Sequence, residues 1–320
     1  MALPDILKRV RLPVIGAPLF IISNPKLVIA QCTEGIIGSF PALNARPQGQ
    51  LDEWLHEITE ALAAHDRDHP DRPAAPYAVN QIVHRSNDRL EADLATTAKW
   101  KVPITITSLG ARPELNDAVH QWGGITLHDI IDDFFARKAI DKGADGLIAV
   151  AAGAGGHAGR WSPFALIQEI RRWFDGPLCL SGSIASGRAV LAAQAAGADF
   201  AYVGSAFIAT DEARASDQYK QGIVAGSAKD IIYSSLFTGI HGNYLRQSIE
   251  NAGLDPDALQ RGDSEAMKFG SDDSGKAKAW KDIWGSGQGI GVIDQIVPAA
   301  DLVDRLGREY REAKALLCAG

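Results

Sequence analysis

The sequence predicts an α/β fold, a (β/α)₈ barrel with a small added helical subdomain. Three observations support this prediction: the chain has eight short apolar runs, an amphipathic segment follows nearly every run, and the length is 320 residues. A barrel of eight β/α units takes about 250 residues, whereas open doubly wound sheets usually have fewer strands. The length therefore fits one barrel with an appendage better than two domains.

The eight runs are interpreted as parallel strands because they are short, apolar or β-branched, and alternate with helical patterns. In chain order they are "PVIGAPL" (13–19), "GIIGSFPAL" (35–43), "PYAVNQI" (76–82), "PITITSL" (103–109), "GITLHDI" (124–130), "DGLIAVAA" (145–152), "PLCLSGSI" (177–184) and "DFAYVGSAF" (199–207). The active site of such a barrel lies at the carboxyl ends of its strands. The residues that close each run are therefore the candidates for function.

Serine and proline mark the predicted starts of three helices. Ser23 stands before Asn24-Pro25, which suits a cap followed by proline in the first turn, and Ser162-Pro163 has the same form. Ser186 is expected to cap the alanine-rich segment that follows it. Each start lies between two predicted strands, as the β/α alternation requires.

The β/α alternation stops after residue 210. We therefore expect the barrel to comprise residues 1–210 and 281–320, and residues 211–280 to form a small helical subdomain or lid. The polar stretch 261–278 is expected to be exposed or to act as a mobile lid. Residues 298–317 have the pattern of an amphipathic helix, which is expected to cover the barrel as its last outer helix.

Composition and charge exclude several classes of protein. A net charge of −7 with no basic block argues against nucleic acid and anionic membranes as partners. No apolar run reaches the roughly 18 residues that a membrane span needs, and the first residues lack a signal-peptide pattern. We therefore expect a cytoplasmic protein that binds a small molecule. The three cysteines lack metal-ligand spacing, so no metal site and no disulfide framework are predicted.

Two small-residue loops close the seventh and eighth runs. "SGSIASG" (181–187) and "VGSAF" (203–207) supply backbone N–H groups that can face an anion. Loops after strands seven and eight are the usual phosphate site of this barrel. The residues predicted to hold a phosphate are Gly182, Ser183, Gly204 and Ser205. Simple turn geometry is the alternative for either loop taken alone.

A histidine lies among glycines in "GAGGHAG" (153–159), directly after the sixth run. Glycine costs conformational entropy on folding, so such a stretch indicates that the backbone closely approaches a ligand or adopts a positive φ. His157 can exchange a proton near neutral pH without a large pKa shift, which suits a catalytic acid or base. A structural, hydrogen-bonding histidine is the alternative.

Polar residues also close the third, fourth and fifth runs. Asn80 and Ser108 are placed either to hydrogen-bond the edge of a heteroaromatic ring or to form the turns at the strand ends. His128 and Asp129 form an ionisable pair that either serves the site or, in the case of Asp129, caps the following helix. We favour the cap for Asp129.

Four stretches of the sequence together resemble the nitronate monooxygenases, formerly called 2-nitropropane dioxygenases. They are "GAPLF" (16–20), "AGAGGHAG" (152–159), "SGSIASGRAVLAAQAAGADFAYVGSAFIAT" (181–210) and "WGSGQGIGVI" (284–293). The resemblance spans residues 13–210 and 284–318. His157 falls on the position of the catalytic histidine of that family.

The resemblance implies a TIM barrel that binds FMN non-covalently. It implies a flavoprotein oxidoreductase, a monooxygenase that oxidises an alkyl nitronate with molecular oxygen to a carbonyl compound and nitrite, without NAD(P)H. His157 is expected to act as the catalytic base if the substrate is a neutral nitroalkane. The residues expected to contact FMN are Ala17, Pro18, Leu19, Asn80, Ser108, Gly155, Gly156, Ser181, Gly182, Ser183, Val203, Gly204 and Ser205.

The sequence departs from the family pattern at three positions. Ala158 stands where arginine is common, Ser183 replaces the second glycine after the seventh run, and Leu19 replaces a methionine. These changes leave the flavin assignment intact but bear on the pocket above the ring. Tyr244 and Arg246 are further candidates for the site that the sequence does not place.

Three other functions stay open at this point. The same barrel and cofactor suit an NAD(P)H-dependent flavin reductase of quinones or enoyl thioesters. A lyase or isomerase of sugar phosphates usually needs a lysine or paired carboxylates at the strand ends, and none is evident. The third is a barrel that binds flavin or a partner without catalysis. The sequence does not determine the physiological substrate or the oligomeric state, and a homodimer is allowed.

Overall fold

The computed structural model describes residues 3–258 and 282–319. The expectation that residues 261–278 are exposed or act as a lid therefore lies outside the described residues. Eight parallel strands form one sheet: β1 (Val14–Gly16), β2 (Gly38–Pro41), β3 (Tyr77–Ile82), β4 (Ile104–Ser108), β5 (Ile125–Ile130), β6 (Gly146–Val150), β8 (Leu178–Ser181) and β9 (Phe200–Val203).

The parallel sheet is nearly closed. Its strand order is β1-β9-β8-β6-β5-β4-β3-β2, with β1 paired to β9 through Ile15 and Tyr202. Ile15 also forms a parallel bridge with Ile37, which lies just before β2. One observed strand lies within each of the eight predicted runs, so the prediction of a (β/α)₈ barrel is confirmed.

Helices follow the strands and cover the outside of the barrel. They are α1 (Pro25–Thr33), α2 (Gln50–Asp68), α3 (Leu90–Lys99), α4 (Pro113–Gln121), α5 (Asp133–Asp141), α6 (Pro163–Arg171), α7 (Gly187–Ala195), α8 (Ser205–Ile208), α9 (Asp217–Ala225), α10 (Arg246–Asn251) and α11 (Ala299–Cys318). None of the helices in the described residues is both long and apolar enough to cross a bilayer.

The caps of two helices follow from local polar side chains. Asn24 caps α1 with its side-chain oxygen, whereas the hydroxyl of Ser23 accepts a hydrogen bond from the N–H of Leu19 at 2.9 Å. Ser186 caps α7, as predicted, and accepts from the N–H of Ala189 at 3.2 Å. Proline in the first turn of α1 and of α6 needs no hydrogen-bond partner there.

Two layers of core hold the barrel together. Ile15, Ile148 and Phe200 are buried inside it, where strand side chains fill the interior. Outside the sheet, α7 packs tightly on α11, because a Cβ atom at Gly187 would clash with the backbone of Leu306. The C-terminal helix is thus an outer helix of the barrel, as its amphipathic pattern predicts.

A second, three-stranded antiparallel sheet lies beside the barrel. Its strands are β7 (Gly156–His157), β10 (Ile231–Ser234) and β11 (Gly242–Leu245), in the order β10-β11-β7. The described residues between 211 and 258 therefore include a β-hairpin in addition to α9 and α10. Strand β11 of this hairpin pairs with β7 and so provides hydrogen-bond partners for backbone groups of the glycine-rich segment after β6. The division of the chain into a barrel and a subdomain stays a prediction.

Candidate functional site

A cavity of about 2390 Å³ opens at the carboxyl ends of the barrel strands. Pockets for drug-sized ligands are about 300–1,000 Å³, so this cavity has room for a cofactor together with a substrate. The predicted residues that line it are Ala17, Pro18, Leu19, Asn80, Ser108, Gly155, Gly156, His157, Ser181, Gly182, Ser183, Gly204 and Ser205. Val203 is also predicted to contact the ligand but does not line the cavity, because its side chain is buried between the sheet and the helices.

Backbone segments rich in glycine meet on one side of this cavity. The carbonyl oxygen of Gly153 accepts hydrogen bonds from the N–H groups of Ser183 at 3.2 Å and of Gln288 at 2.9 Å. The segments are residues 153–156, 182–183 and 285–289, and we call them the glycine cradle. Loops after β6 and β8 are thus joined to a segment that returns from the C-terminal part of the chain.

Glycine is required in the cradle by close backbone contacts. A Cβ atom at Gly287 would lie 2.6 Å from the carbonyl oxygen of Gly153, and one at Gly155 would lie 2.8 Å from the nitrogen of Gly287. The turn after β8 has positive φ at Gly182 (135°) and at Ser183 (58°). Backbone therefore forms much of this wall, which suits a ligand that is flat or anionic.

Sequence reasoning assigns residues 285–289 no role of their own. The sequence nevertheless contains a pattern that marks these residues, because glycine occupies every second position of "WGSGQGIG" (284–291). Such spacing indicates a close approach of two backbones. What the sequence does not reveal is that the other backbone belongs to the histidine loop.

Two strands position His157. β7 places it opposite Gly242 of β11, and its Nε2 atom lies 3.0 Å from Oγ1 of Thr238. The hydroxyl of Thr238 donates to the carbonyl oxygen of Ile240 at 2.9 Å, so it accepts from Nε2–H of the imidazole. The neutral ring therefore carries its proton on Nε2 and its lone pair on Nδ1.

The surroundings of His157 keep its ring uncharged. Burial lowers the pKa of the imidazole to about 4, because desolvation disfavours the cationic form. At pH 7 the side chain is neutral. It is therefore able to accept a proton, although less readily than an exposed histidine.

The segment around β11 contributes residues whose roles sequence reasoning missed or left open. Thr238 fixes the imidazole, and nothing in the local sequence distinguishes it from other threonines. Tyr244 lines the cavity, and its ring packs edge-to-face on Phe237 with centroids 4.9 Å apart. Arg246 instead pairs with Asp257 at 2.9 Å and is not among the residues that line the cavity.

Three polar side chains form a chain on the floor of the cavity, which we define as Asn80, Ser108 and Asp129. Nδ2 of Asn80 donates to Oγ of Ser108 at 2.8 Å, and this hydroxyl donates to Oδ2 of Asp129 at 2.5 Å. Burial raises the pKa of Asp129 to about 7, although the hydrogen bond from Ser108 opposes this shift. The floor thus carries a carboxyl group that changes its charge near neutral pH.

The prediction that Asp129 caps the next helix is wrong. Strand β5 continues through this residue, and Asp132 caps α5 by accepting from the N–H of Phe135 at 2.9 Å. Nδ1 of the adjacent His128 lies 2.6 Å from the hydroxyl of Thr107, and burial lowers its pKa to about 4. Within the described ranges, no group of three or more His, Cys, Asp or Glu side chains is arranged to bind a metal ion.

Exposed aromatic side chains lie at the edge of the cavity. Phe135 and Trp161 line it, and the exposed ring of Phe134 packs edge-to-face on Phe135; these three residues are called the aromatic rim below. The guanidinium group of Arg160 lies 4.9 Å from the ring centre of Trp161. The rim therefore combines apolar surface with a positive charge.

Comparisons with known proteins agree with this geometry. A family model described as nitronate monooxygenase matches residues 3–309. A nitronate monooxygenase from Paraburkholderia phytofirmans is 25% identical over 362 residues, which covers 94% of this chain and 93% of that protein.

Two solved structures share the fold. A nitroalkane oxidase from Streptomyces ansochromogenes has a TM-score of 0.79 at 22% identity and covers 98% of this chain and 100% of its own. FabK from Thermotoga maritima has a TM-score of 0.77 at 23% identity and covers 98% of this chain and 97% of its own.

Proposed function

Because the chain belongs to the nitronate monooxygenase family and is a flavin-dependent oxidoreductase, we propose that it oxidises alkyl nitronates with FMN and molecular oxygen. The products are a carbonyl compound and nitrite. The observation that carries this proposal is that His157, held by Thr238, faces the same cavity as the glycine cradle. A proton-exchanging side chain therefore lies beside a wall suited to a flat, anionic cofactor.

The residues of the cavity fit FMN. The absence of side chains in the glycine cradle lets its segments pack backbone to backbone, and a wall made of backbone can approach a planar ring closely. The residues that would hold the phosphate are Gly182, Ser183, Gly204 and Ser205, and those that would adjoin the ring are Ala17, Pro18, Leu19, Asn80, Ser108, Gly155 and Gly156. FMN supplies the chemistry of electron transfer from the nitronate to oxygen when it is bound.

His157 acts on the substrate as a neutral imidazole. Thr238 holds the proton on Nε2, so the lone pair of Nδ1 is the basic position. A nitronate is already an anion and requires no proton removal, whereas a neutral nitroalkane must first lose a proton from carbon. An imidazole with a pKa of about 4 is a weak base for that step. We therefore expect nitronates to be oxidised much faster than the parent nitroalkanes.

Propane-2-nitronate provides the test of this function. Added without oxygen to the FMN-loaded protein, it should reduce the flavin, and in air it should cause oxygen uptake and nitrite release. His157→Asn should lower kcat/KM for the parent nitroalkane, 2-nitropropane, by about 10²–10⁴-fold, as loss of a proton-transferring group does, and should lower kcat/KM for the nitronate much less, because the nitronate requires no proton removal. His56→Asn is the matched control, because His56 is exposed on α2 outside the cavity. A flavin that nitronate leaves oxidised would contradict the proposal.

The side chains at the edge of the cavity favour a second candidate function, an NAD(P)H-dependent flavin reductase of quinones or enoyl thioesters. The aromatic rim and Arg160 suit a long substrate with an apolar part and an anionic part. Rapid anaerobic reduction of the flavin by NADH or NADPH, with little reduction by nitronate, would favour this function over the first.

A further inference from the structure

A carboxyl oxygen and a phenol on the cavity floor have no hydrogen-bond partner among the described residues. They are Oδ1 of Asp129 and the hydroxyl of Tyr202, and both atoms are buried. Both side chains line the cavity. Buried polar atoms without a partner are costly, so their presence at the base of a cavity indicates a ligand that hydrogen-bonds to them.

The direction of the hydrogen bonds determines where a proton on Asp129 resides. Asn80 donates to Ser108, and Ser108 donates to Oδ2 of Asp129. Because Oδ2 already accepts a hydrogen bond, the proton of the neutral carboxyl group belongs on Oδ1. Asp129 therefore donates to a ligand when it is protonated and accepts from one when it is ionised.

Two strands place other titratable groups close enough to Asp129 to be affected by its charge. Tyr202 lies on β9 and Cys179 on β8, and the charge of Asp129 raises the pKa of both. Burial is the larger cause in each case, so the phenol and the thiol are both uncharged at pH 7. His128, on the same strand, is neutral as well and is hydrogen-bonded to Thr107.

We propose that Asp129 hydrogen-bonds the ring of the bound flavin from the cavity floor and changes its protonation with the charge of that ring. This inference rests on the flavin binding of the proposed function. The edge of an isoalloxazine ring presents both hydrogen-bond acceptors and an N–H donor, which matches a carboxyl group that can donate or accept. Reduction of a flavin bound there would add negative charge to the cavity. The carboxylate of Asp129 would take up one proton from solvent to balance that charge.

The first test needs no cofactor. Infrared difference spectra of the protein between about pH 6 and pH 8 should contain the carbonyl band of a protonated carboxyl group. Asp129→Asn should abolish this band, and Asp141→Asn should keep it, because Asp141 is exposed on α5. A band that persists in Asp129→Asn would overturn the inference.

The second test measures the midpoint potential of the FMN-loaded protein against pH. The plot of midpoint potential against pH should change slope near pH 7 for the wild type. The same plot for Asp129→Asn should not change slope there. Ser108→Ala keeps the carboxyl group but removes a hydrogen bond that favours its ionised form, so the change in slope should move to higher pH. Profiles that both variants leave unaltered would overturn the inference.

These outcomes separate the two proposals. A protein that binds FMN and oxidises nitronate, with a potential that does not depend on Asp129, would overturn this inference alone. A protein that does not bind FMN would overturn the proposed function and this inference together. Asp141→Asn should leave both FMN binding and nitronate oxidation at wild-type levels.

Discussion

Burial determines the charge of three side chains in the cavity, and with it the chemistry available at neutral pH. It lowers the pKa of His157 and of His128 to about 4 and raises that of Asp129 to about 7. All three shifts have one cause, since removal of water disfavours whichever form carries a charge. The cavity therefore offers two neutral imidazoles and one carboxyl group that titrates near pH 7.

Thr238 is expected to position His157 rather than to react. Thr238→Val removes the acceptor for Nε2–H at nearly constant volume, so kcat/KM for a neutral nitroalkane should fall by up to about tenfold, the value of one hydrogen bond. Thr238→Ser retains the hydroxyl group and should restore most of the wild-type rate. Steady-state kinetics of the two variants provide the measurement, and equal rates for Thr238→Val and wild type would rule out this role.

At the scale of elements, the site is assembled where β7, β11 and the cradle segments meet. β11 pairs with β7, and Nδ2 of Asn243 on β11 donates to the carbonyl oxygen of Ala154 at 2.7 Å. Gly285 of the cradle forms an antiparallel bridge with Tyr244 of the same strand. One strand thus joins the histidine loop to the C-terminal cradle segment, so a change in either should affect the other.

The cradle is expected to be intolerant of side chains. Gly287→Ala places a Cβ atom 2.6 Å from a carbonyl oxygen, and relief of such overpacking typically costs about 1–3 kcal/mol. We expect FMN affinity to fall by about tenfold or more, because the backbone that faces the cofactor must move. Fluorescence titration of FMN measures this change.

Gly49→Ala is the control for the cradle substitution. Gly49 has φ −59°, which alanine adopts without strain, and no atom lies within 4 Å of the added Cβ. This variant should bind FMN as the wild type does and should unfold at the same or slightly higher urea concentration. Equal FMN affinity in Gly287→Ala and Gly49→Ala would show that the cradle does not depend on glycine.

For the whole molecule, the shifted groups make the free energy of unfolding depend on pH. His157 and His128 have folded pKa values below the unfolded value of about 6.5, so the stability they contribute is lost as pH falls from about 6.5 to about 4. Asp129 has a raised folded pKa, so its contribution runs in the opposite direction and grows as pH falls below about 7. Between about pH 6.5 and pH 4, the unfolded chain binds two protons at the histidines that the folded chain does not bind. The folded chain binds one proton at Asp129 that the unfolded chain does not bind.

Asp129→Asn should therefore steepen the loss of stability in acid. Asparagine cannot bind the proton that folded Asp129 takes up. The slope of the free energy of unfolding against pH therefore increases by about 1.4 kcal/mol per pH unit between about pH 6.5 and pH 4. Urea unfolding at a series of pH values measures the slope, with Asp141→Asn as the exposed control. Parallel curves for Asp129→Asn and wild type would mean that Asp129 is ionised throughout this range.

The sequence by itself determined the barrel, the small-residue loops after its last two strands and the histidine loop, because each of these leaves a local pattern. Strand runs alternate with amphipathic segments, and glycine and serine follow strands at fixed places. Four motifs of this kind also carried the resemblance to the nitronate monooxygenase family, which the family match confirms. Such patterns can be recognised in the sequence because the residues that form each of them are close together along the chain.

Only the tertiary structure decided what surrounds the histidine. Thr238 contacts His157 from 81 positions away, through a hairpin in a region that the sequence pattern describes as helical. Asp129 has the local pattern of a helix cap, yet closure of the barrel places it on the cavity floor next to Ser108. The physical reason is that hydrogen bonds between distant segments and the removal of water exist only once the barrel has closed, so no local pattern records them.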